Sequence, residues 1–200
     1  MNKHIQELMF SLLKHCRNTL GHSLRVADEL QQLCTFIGMG SSAKFFYMGA
    51  LHDIGKLKID RTLLNKTEKL TDFERTEFKR HTQYGRELLK DRQVFSEDFL
   101  NNILFHHENI DGSGYYGLKG KEIPLYARMI RIIDTYDAMT YGRIYQEPIC
   151  EDKVKAEMEV LKGTTLDEIL MYSYFNYLET KKHRLLENTT ATYKKALHLS

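Results

Sequence analysis

Apolar positions recur along this chain with the spacing of helix faces. Ile5, Leu8, Met9, Leu12, Leu13 and Cys16 form one stripe, and Leu20, Leu24, Ala27, Leu30 and Leu33 form the next until Gly38 and Gly40 interrupt it. Ser41 and Ser42 can cap a third helix over SSAKFFYMGALHDIGK. Thr71 and Glu74 have the spacing of a capping box, which predicts a helix running through His81 to Leu89. Ser96 can cap SEDFLNNILFHHE, Pro124 precedes a helix from about Leu125 to Tyr141, and two more are expected over 151–161 and 166–178. No stretch alternates with period two for long enough to demand a sheet. The expectation is an all-α, compact helical bundle with an N-terminal helix (1–16), one main domain (17–180) and a polar tail or frayed terminal helix (181–200).

Composition narrows the class of protein. A chain of 200 residues can bury a proper core as one domain. Its net charge of +2 gives no global field for a nucleic-acid polymer or an anionic membrane, although a local basic patch could still take a small anion. Cys16, Cys34 and Cys150 are few, odd in number and far apart, which suits reduced thiols in the cytoplasm. The first residues mix Lys, His, Gln and Glu into their apolar face, unlike a signal peptide or spanning helix.

Polar residues stand out against these stripes. His22, the pair His52 and Asp53, His81, the pair His106 and His107, and Asp134 fall on five separate predicted helices, each among apolar neighbours. Any one of them reads most simply as a hydrogen-bonded structural residue. Together they would cost more to bury than a small core can offset, unless they share a cation. Imidazole and carboxylate without thiolate suit iron, manganese or zinc.

The segments GHS, LHDIGK, KRHTQYG, FHHENIDGSGYY and IPLYARMIRIIDTYDAMT, in that order, resemble the HD-GYP subfamily of the HD-domain metal-dependent phosphohydrolases. The resemblance runs from about Arg17 to Glu179 and makes the expected bundle one of the HD-domain type. It implies that His22, His52, Asp53 and Asp134 hold one divalent metal ion and that Asp53, His81, His106 and His107 hold a second, with Asp53 bridging. It also implies that Lys56 and Arg143 contact phosphate, and that Asp111, Gly112, Gly114 and Tyr115 belong to a signature loop near the substrate. The implied activity is hydrolysis of cyclic di-GMP to linear pGpG, with GMP as a further product left open. Another nucleotide or cyclic dinucleotide, or a degenerate binding domain, remain as alternatives. The partner is then a small nucleotide, with no nucleic-acid polymer and no membrane; a regulatory protein or homodimer is left open, since no sensory segment is recognisable.

Three positions depart from the subfamily's pattern. Asn18 stands one helical turn before His22, where trinuclear members carry glutamate, so two metals are expected and not three. Tyr116 replaces the proline of the GYP signature, which is expected to loosen the loop. Gln146 stands where a lysine is common, removing one phosphate-facing charge.

Overall fold

The apolar stripes close on one another as ten α-helices among the described residues, which in this computed structural model are 2–142 and 148–196. In order they are α1 (Asn2–His15), α2 (Arg17–Phe36), α3 (Ala43–Leu51), α4 (Arg61–Leu64), α5 (Asp72–Lys79), α6 (His81–Lys90), α7 (Glu97–Leu104), α8 (Leu125–Tyr141), α9 (Glu151–Val160) and α10 (Glu168–Ala196). The only extended pairing among the described residues is a single bridge between Lys162 and Leu166. The all-α expectation holds, and no described helix is long and apolar enough to cross a membrane.

One core serves every long helix. Leu8 and Leu12 of α1 meet Val26, Leu30 and Leu33 of α2, Met48 and Leu51 of α3, Ile103 of α7, Met129, Ile130 and Ile133 of α8, Met158 of α9, and Met171 and Tyr174 of α10. Each such side chain contributes roughly 1.5–3 kcal/mol on burial, so the stripes are sufficient reason for the bundle. α1 therefore joins the core of the main body, with only Cys16 in extended backbone between it and α2.

Local capping follows the sequence. Ser42 accepts from the Lys44 amide, Ser96 from the Phe99 amide, and Thr71 and Glu74 close the expected box at the start of α5. Three elements differ from their periodicity. The third helix stops at Leu51, and Ile54–Lys58 form a 3-10 turn instead of continuing it. A Cβ on Gly55 would lie 1.9 Å from the His81 carbonyl oxygen, so this turn presses its backbone directly on the start of α6. Only glycine permits that approach. The helix expected over 71–89 breaks at Arg80 into α5 and α6, and the last helix runs unbroken from Glu168 to Ala196, across the expected 180/181 division.

Candidate metal centre

The break points of the helices are where the polar residues gather. His52 ends α3, Asp53 begins the 3-10 turn, His81 opens α6, and His106 and His107 follow the end of α7. His22 and Asp134 come from the middles of α2 and α8. Adjacent residues inside a helix point about 100° apart, whereas a helix end lets neighbours converge. His106 and His107 do so, with ring centroids 4.2 Å apart.

Three imidazoles are oriented by the same device. Nδ1 of His52, His81 and His106 each lies 2.7 Å from the carbonyl oxygen three residues earlier, of Gly49, Phe78 and Ile103. A carbonyl can only accept, so Nδ1 carries a proton and Nε2 is the nitrogen turned toward the cluster. All three Nε2 atoms face Asp53. Asp53 Oδ1 lies 3.2 Å from His81 Nε2 and 3.9 Å from His106 Nε2, whereas Oδ2 lies 3.4 Å from His52 Nε2 and 3.8 Å from His22 Nε2. One carboxylate thus divides its oxygens between two groups of donors: His81, His106 and His107 on one side, His22, His52 and Asp134 on the other.

These donors fit metal cations better than they fit one another. His52 Nε2 and Asp53 Oδ1 are buried and make no well-formed hydrogen bond in the protein, and His22 Nε2 faces Asp134 Oδ1 at 3.0 Å. Such atoms are costly in a core, and lone pairs of imidazole and carboxylate are what iron, manganese or zinc bind.

Charge is balanced unevenly across the cluster. Burial would raise the Asp53 carboxyl, but the Lys56 ammonium, 2.5 Å from Oδ2, and His52 beside it hold it well below the usual range. Burial lowers His106 and His107, and each is lowered further by the neighbouring imidazoles, so both are neutral. Burial also opposes charge on His22, yet hydrogen bonds to Asp134 and Asp137 outweigh it and raise its pKa to about 9.

Asp137 is a residue that the sequence reading missed. Its Oδ2 lies 2.7 Å from His22 Nδ1, and Arg25 grips it through Nε at 2.6 Å and Nη2 at 2.8 Å. The signal was present as two i, i+3 pairs, His22 with Arg25 on α2 and Asp134 with Asp137 on α8, each on a single helix face. A carboxylate behind a ligating histidine fixes its tautomer and strengthens it as a donor.

Beside the cluster opens a cavity of about 450 Å³, with His107, Asp134, Gly114, Tyr115, Lys79 and Arg131 among its lining. Gly114 is required there, because a Cβ would fall 2.5 Å from the Glu108 Cα. The Tyr115 ring lies over His107 at 4.9 Å. Asp111 is exposed, does not line the cavity, and uses Oδ1 to accept from the Ser113 amide in a turn. Lys56 is buried against Asp53 and not on the cavity wall. Arg143 and Gln146 lie outside the described residues.

The loop expected to be loose is tied. Buried Glu108, also missed from sequence, accepts from the Tyr116 and Leu118 amides at 2.7 Å each. A proline at 116 could not make the first of these bonds. The Tyr116 hydroxyl is hydrogen-bonded to that of Thr82, next to His81, at 2.9 Å. Replacing proline with tyrosine therefore trades a fixed φ for two anchoring contacts.

Comparison with known proteins agrees with this architecture. The HD-domain family profile matches residues 10–169. A cyclic di-GMP phosphodiesterase of Pseudomonas aeruginosa is 45% identical over 100 residues, 50% of this chain and 24% of that protein. The 3′3′-cGAMP-specific phosphodiesterase 2 of Vibrio cholerae is 31% identical over 166 residues, 79% of this chain and 32% of that protein. The chain thus spans about a third or less of the length of these curated relatives. The HD domain of the Listeria monocytogenes phosphodiesterase PgpH, in complex with cyclic-di-AMP, superposes with a TM-score of 0.68 at 17% identity, covering 90% of this chain and 96% of that one. At that identity the likeness speaks for the fold alone. With the profile extending from α1 to the start of α10 over the same helical architecture, the chain belongs to the HD-domain family and carries HD-GYP-like motifs.

Proposed function

We propose that the protein is a metal-dependent phosphodiesterase that opens cyclic di-GMP to the linear dinucleotide. The observation that carries this reading is Asp53, whose two oxygens face two separate sets of imidazole and carboxylate donors beside a cavity open to a small ligand. His22, His52 and Asp134 would hold one cation, His81, His106 and His107 the other, with Asp53 shared; iron or manganese suits the donors best, and zinc is compatible. When bound, such a pair supplies Lewis acidity toward phosphoryl oxygens and activates water at neutral pH.

The chain's own groups supply position. Carbonyl-held imidazoles keep their Nε2 atoms aimed at one point before any cation arrives, so little is lost to ordering on binding. Lys56 lies on the shared carboxylate and would offer its ammonium to a phosphate oxygen once cations neutralise Asp53; Arg143 is proposed to contact phosphate as well. Tyr115 presents a ring face at the cavity for a base, and Gly114 lets the loop backbone lie close to Glu108. Hydrolysis breaks one phosphodiester P–O bond and adds water across it, and cleavage of the second would release GMP.

A different cyclic dinucleotide is the second reading, because one relative is named for 3′3′-cGAMP and a structural neighbour was solved with cyclic-di-AMP. The assay that decides is anaerobic reconstitution with iron or manganese, followed by turnover of cyclic di-GMP, 3′3′-cGAMP and cyclic-di-AMP with product analysis. Fastest turnover of cyclic di-GMP is expected. Metal-loaded protein that cleaves none of the three would refute the proposal and favour a binding domain.

A further inference from the structure

The cavity wall carries a cation that the sequence reading did not single out. Arg131 sits one helical turn before Asp134 on α8, and Arg131, Asp134, Thr135 and Ala138 follow the i, i+3, i+4, i+7 spacing of one face, all of them lining the cavity. Its Nε and Nη2 donate to the Asn109 Oδ1 at 3.3 and 3.2 Å, which sets the plane of the guanidinium. That partner is a neutral amide, so the charge is oriented without being cancelled. Lys79, from the end of α5, reaches the same cavity, its ammonium 5.2 Å from the centre of the Tyr115 ring. Among the described residues the wall carries one carboxylate, Asp134, and it belongs to the metal cluster. The charge that the described lining presents beyond the cluster is therefore positive.

A cyclic dinucleotide has two phosphates, and the metal centre can act on one at a time. From this geometry we infer that Arg131, assisted by Lys79, forms an anion subsite that takes the second, uncleaved phosphate and so selects a cyclic dinucleotide over a simple diester. A guanidinium suits the task because its planar fork can give paired hydrogen bonds to a phosphate. The subsite would also restore charge near the substrate in a chain where Gln146 stands in place of lysine. The inference rests on the cyclic-dinucleotide reading above and names a residue for its substrate selection.

The test is steady-state kinetics of metal-loaded Arg131→Ala, Arg131→Lys and Lys79→Ala on cyclic di-GMP and on bis(4-nitrophenyl) phosphate, which has a single phosphate. For Arg131→Ala, the ratio of kcat/KM for the dinucleotide to that for the small diester should fall about 10- to 100-fold, mostly through KM, as expected for one charged hydrogen-bonded contact. Arg131→Lys should recover part of the loss, and Lys79→Ala should show a smaller fall in the same ratio. Metal content of each variant is measured alongside. If Arg131→Ala binds metal poorly, the ratio in Arg131→Lys and Lys79→Ala decides. Unchanged ratios in all three, or equal losses on both substrates, would overturn the subsite while leaving the activity in place. Wild-type protein that cleaves the small diester and no cyclic dinucleotide would instead remove the functional reading, and the subsite with it.

Discussion

The two halves of the cluster meet at one carboxylate and are electrically unlike. Around Asp53 Oδ1, His81, His106 and His107 form a set in which burial and crowding keep His106 and His107 neutral, and backbone carbonyls hold His81 and His106 in register. Around Oδ2, His22 is clasped between Asp134 and Asp137 with its pKa raised to about 9, and the Lys56 ammonium rests on the same oxygen. The first half is a donor set ready for a cation. The second is charge-compensated: a proton on His22 and the ammonium of Lys56 stand where added positive charge would otherwise be needed. Histidines in the two halves thus differ in what they must give up: His106 and His107 are already neutral, whereas His22 must release a proton, because Asp134 and Asp137 flank it.

Asp53→Asn should have the largest effect. It removes the charge both halves share, and loss of both metal ions and of all measurable phosphodiesterase activity is expected. Metal analysis should give close to two ions per wild-type chain and almost none in the variant; one retained ion would show that the halves are independent.

Asp137→Asn should separate the halves. Losing the carboxylate behind His22 is expected to weaken metal binding about 10- to 100-fold at that half alone, the usual effect of removing such a partner. Titration calorimetry should then resolve one weakened and one unaffected site. Two equally weakened sites would contradict the assignment.

Proton competition sharpens the same contrast. In metal-free protein, His22 is protonated below about pH 9, so affinity at its half should fall up to about tenfold for each pH unit below that value. The neutral His106 and His107 impose no such slope. The sign reverses for stability of the metal-free fold. The raised His22 pKa contributes fully below its ordinary value of 6.5, and that contribution is lost as pH rises through about 9. The melting temperature of the metal-free protein should therefore carry a decline from His22 between those limits, one that is missing in His22→Gln.

Smaller effects belong to the loop over the neutral half. Tyr116→Pro would leave buried Glu108 with one fewer donor and should cost about 1–3 kcal/mol, while Tyr116→Phe removes only the bond to Thr82 and should cost about 0.5–1.5 kcal/mol. Urea denaturation measures both; a stabilised proline variant would mean that fixed φ outweighs the two contacts. Smallest of all is Asn18→Ala. Asn18 is exposed one turn before His22, and its loss should change stability by less than about 0.5 kcal/mol and leave metal stoichiometry unaltered. Asn18→Glu adds a carboxylate beside His22, and a third ion or a changed metal preference is the expected result.

The sequence by itself determined the all-helical class, the capping at Ser42, Thr71 and Ser96, and which seven residues would converge, from His22 to Asp134. Those features are local or carried by motif: caps need side chains a few residues apart, and an imidazole in an apolar stripe is visible wherever it falls. Tertiary structure alone decided where helices stop. The third gives way after Leu51 to a 3-10 turn because the Gly55 backbone must lie on His81, a contact between segments that periodicity treats as unrelated. It also decided that Asp137 stands behind His22, that Glu108 ties down the loop at Tyr116, and that Arg131 faces the cavity. Each of these roles depends on which helix lies opposite, and short-range preference contains no information about that. Hydrophobic burial brings α2 against α8, and only then do the i, i+3 pairs His22 with Arg25 and Asp134 with Asp137 become one network.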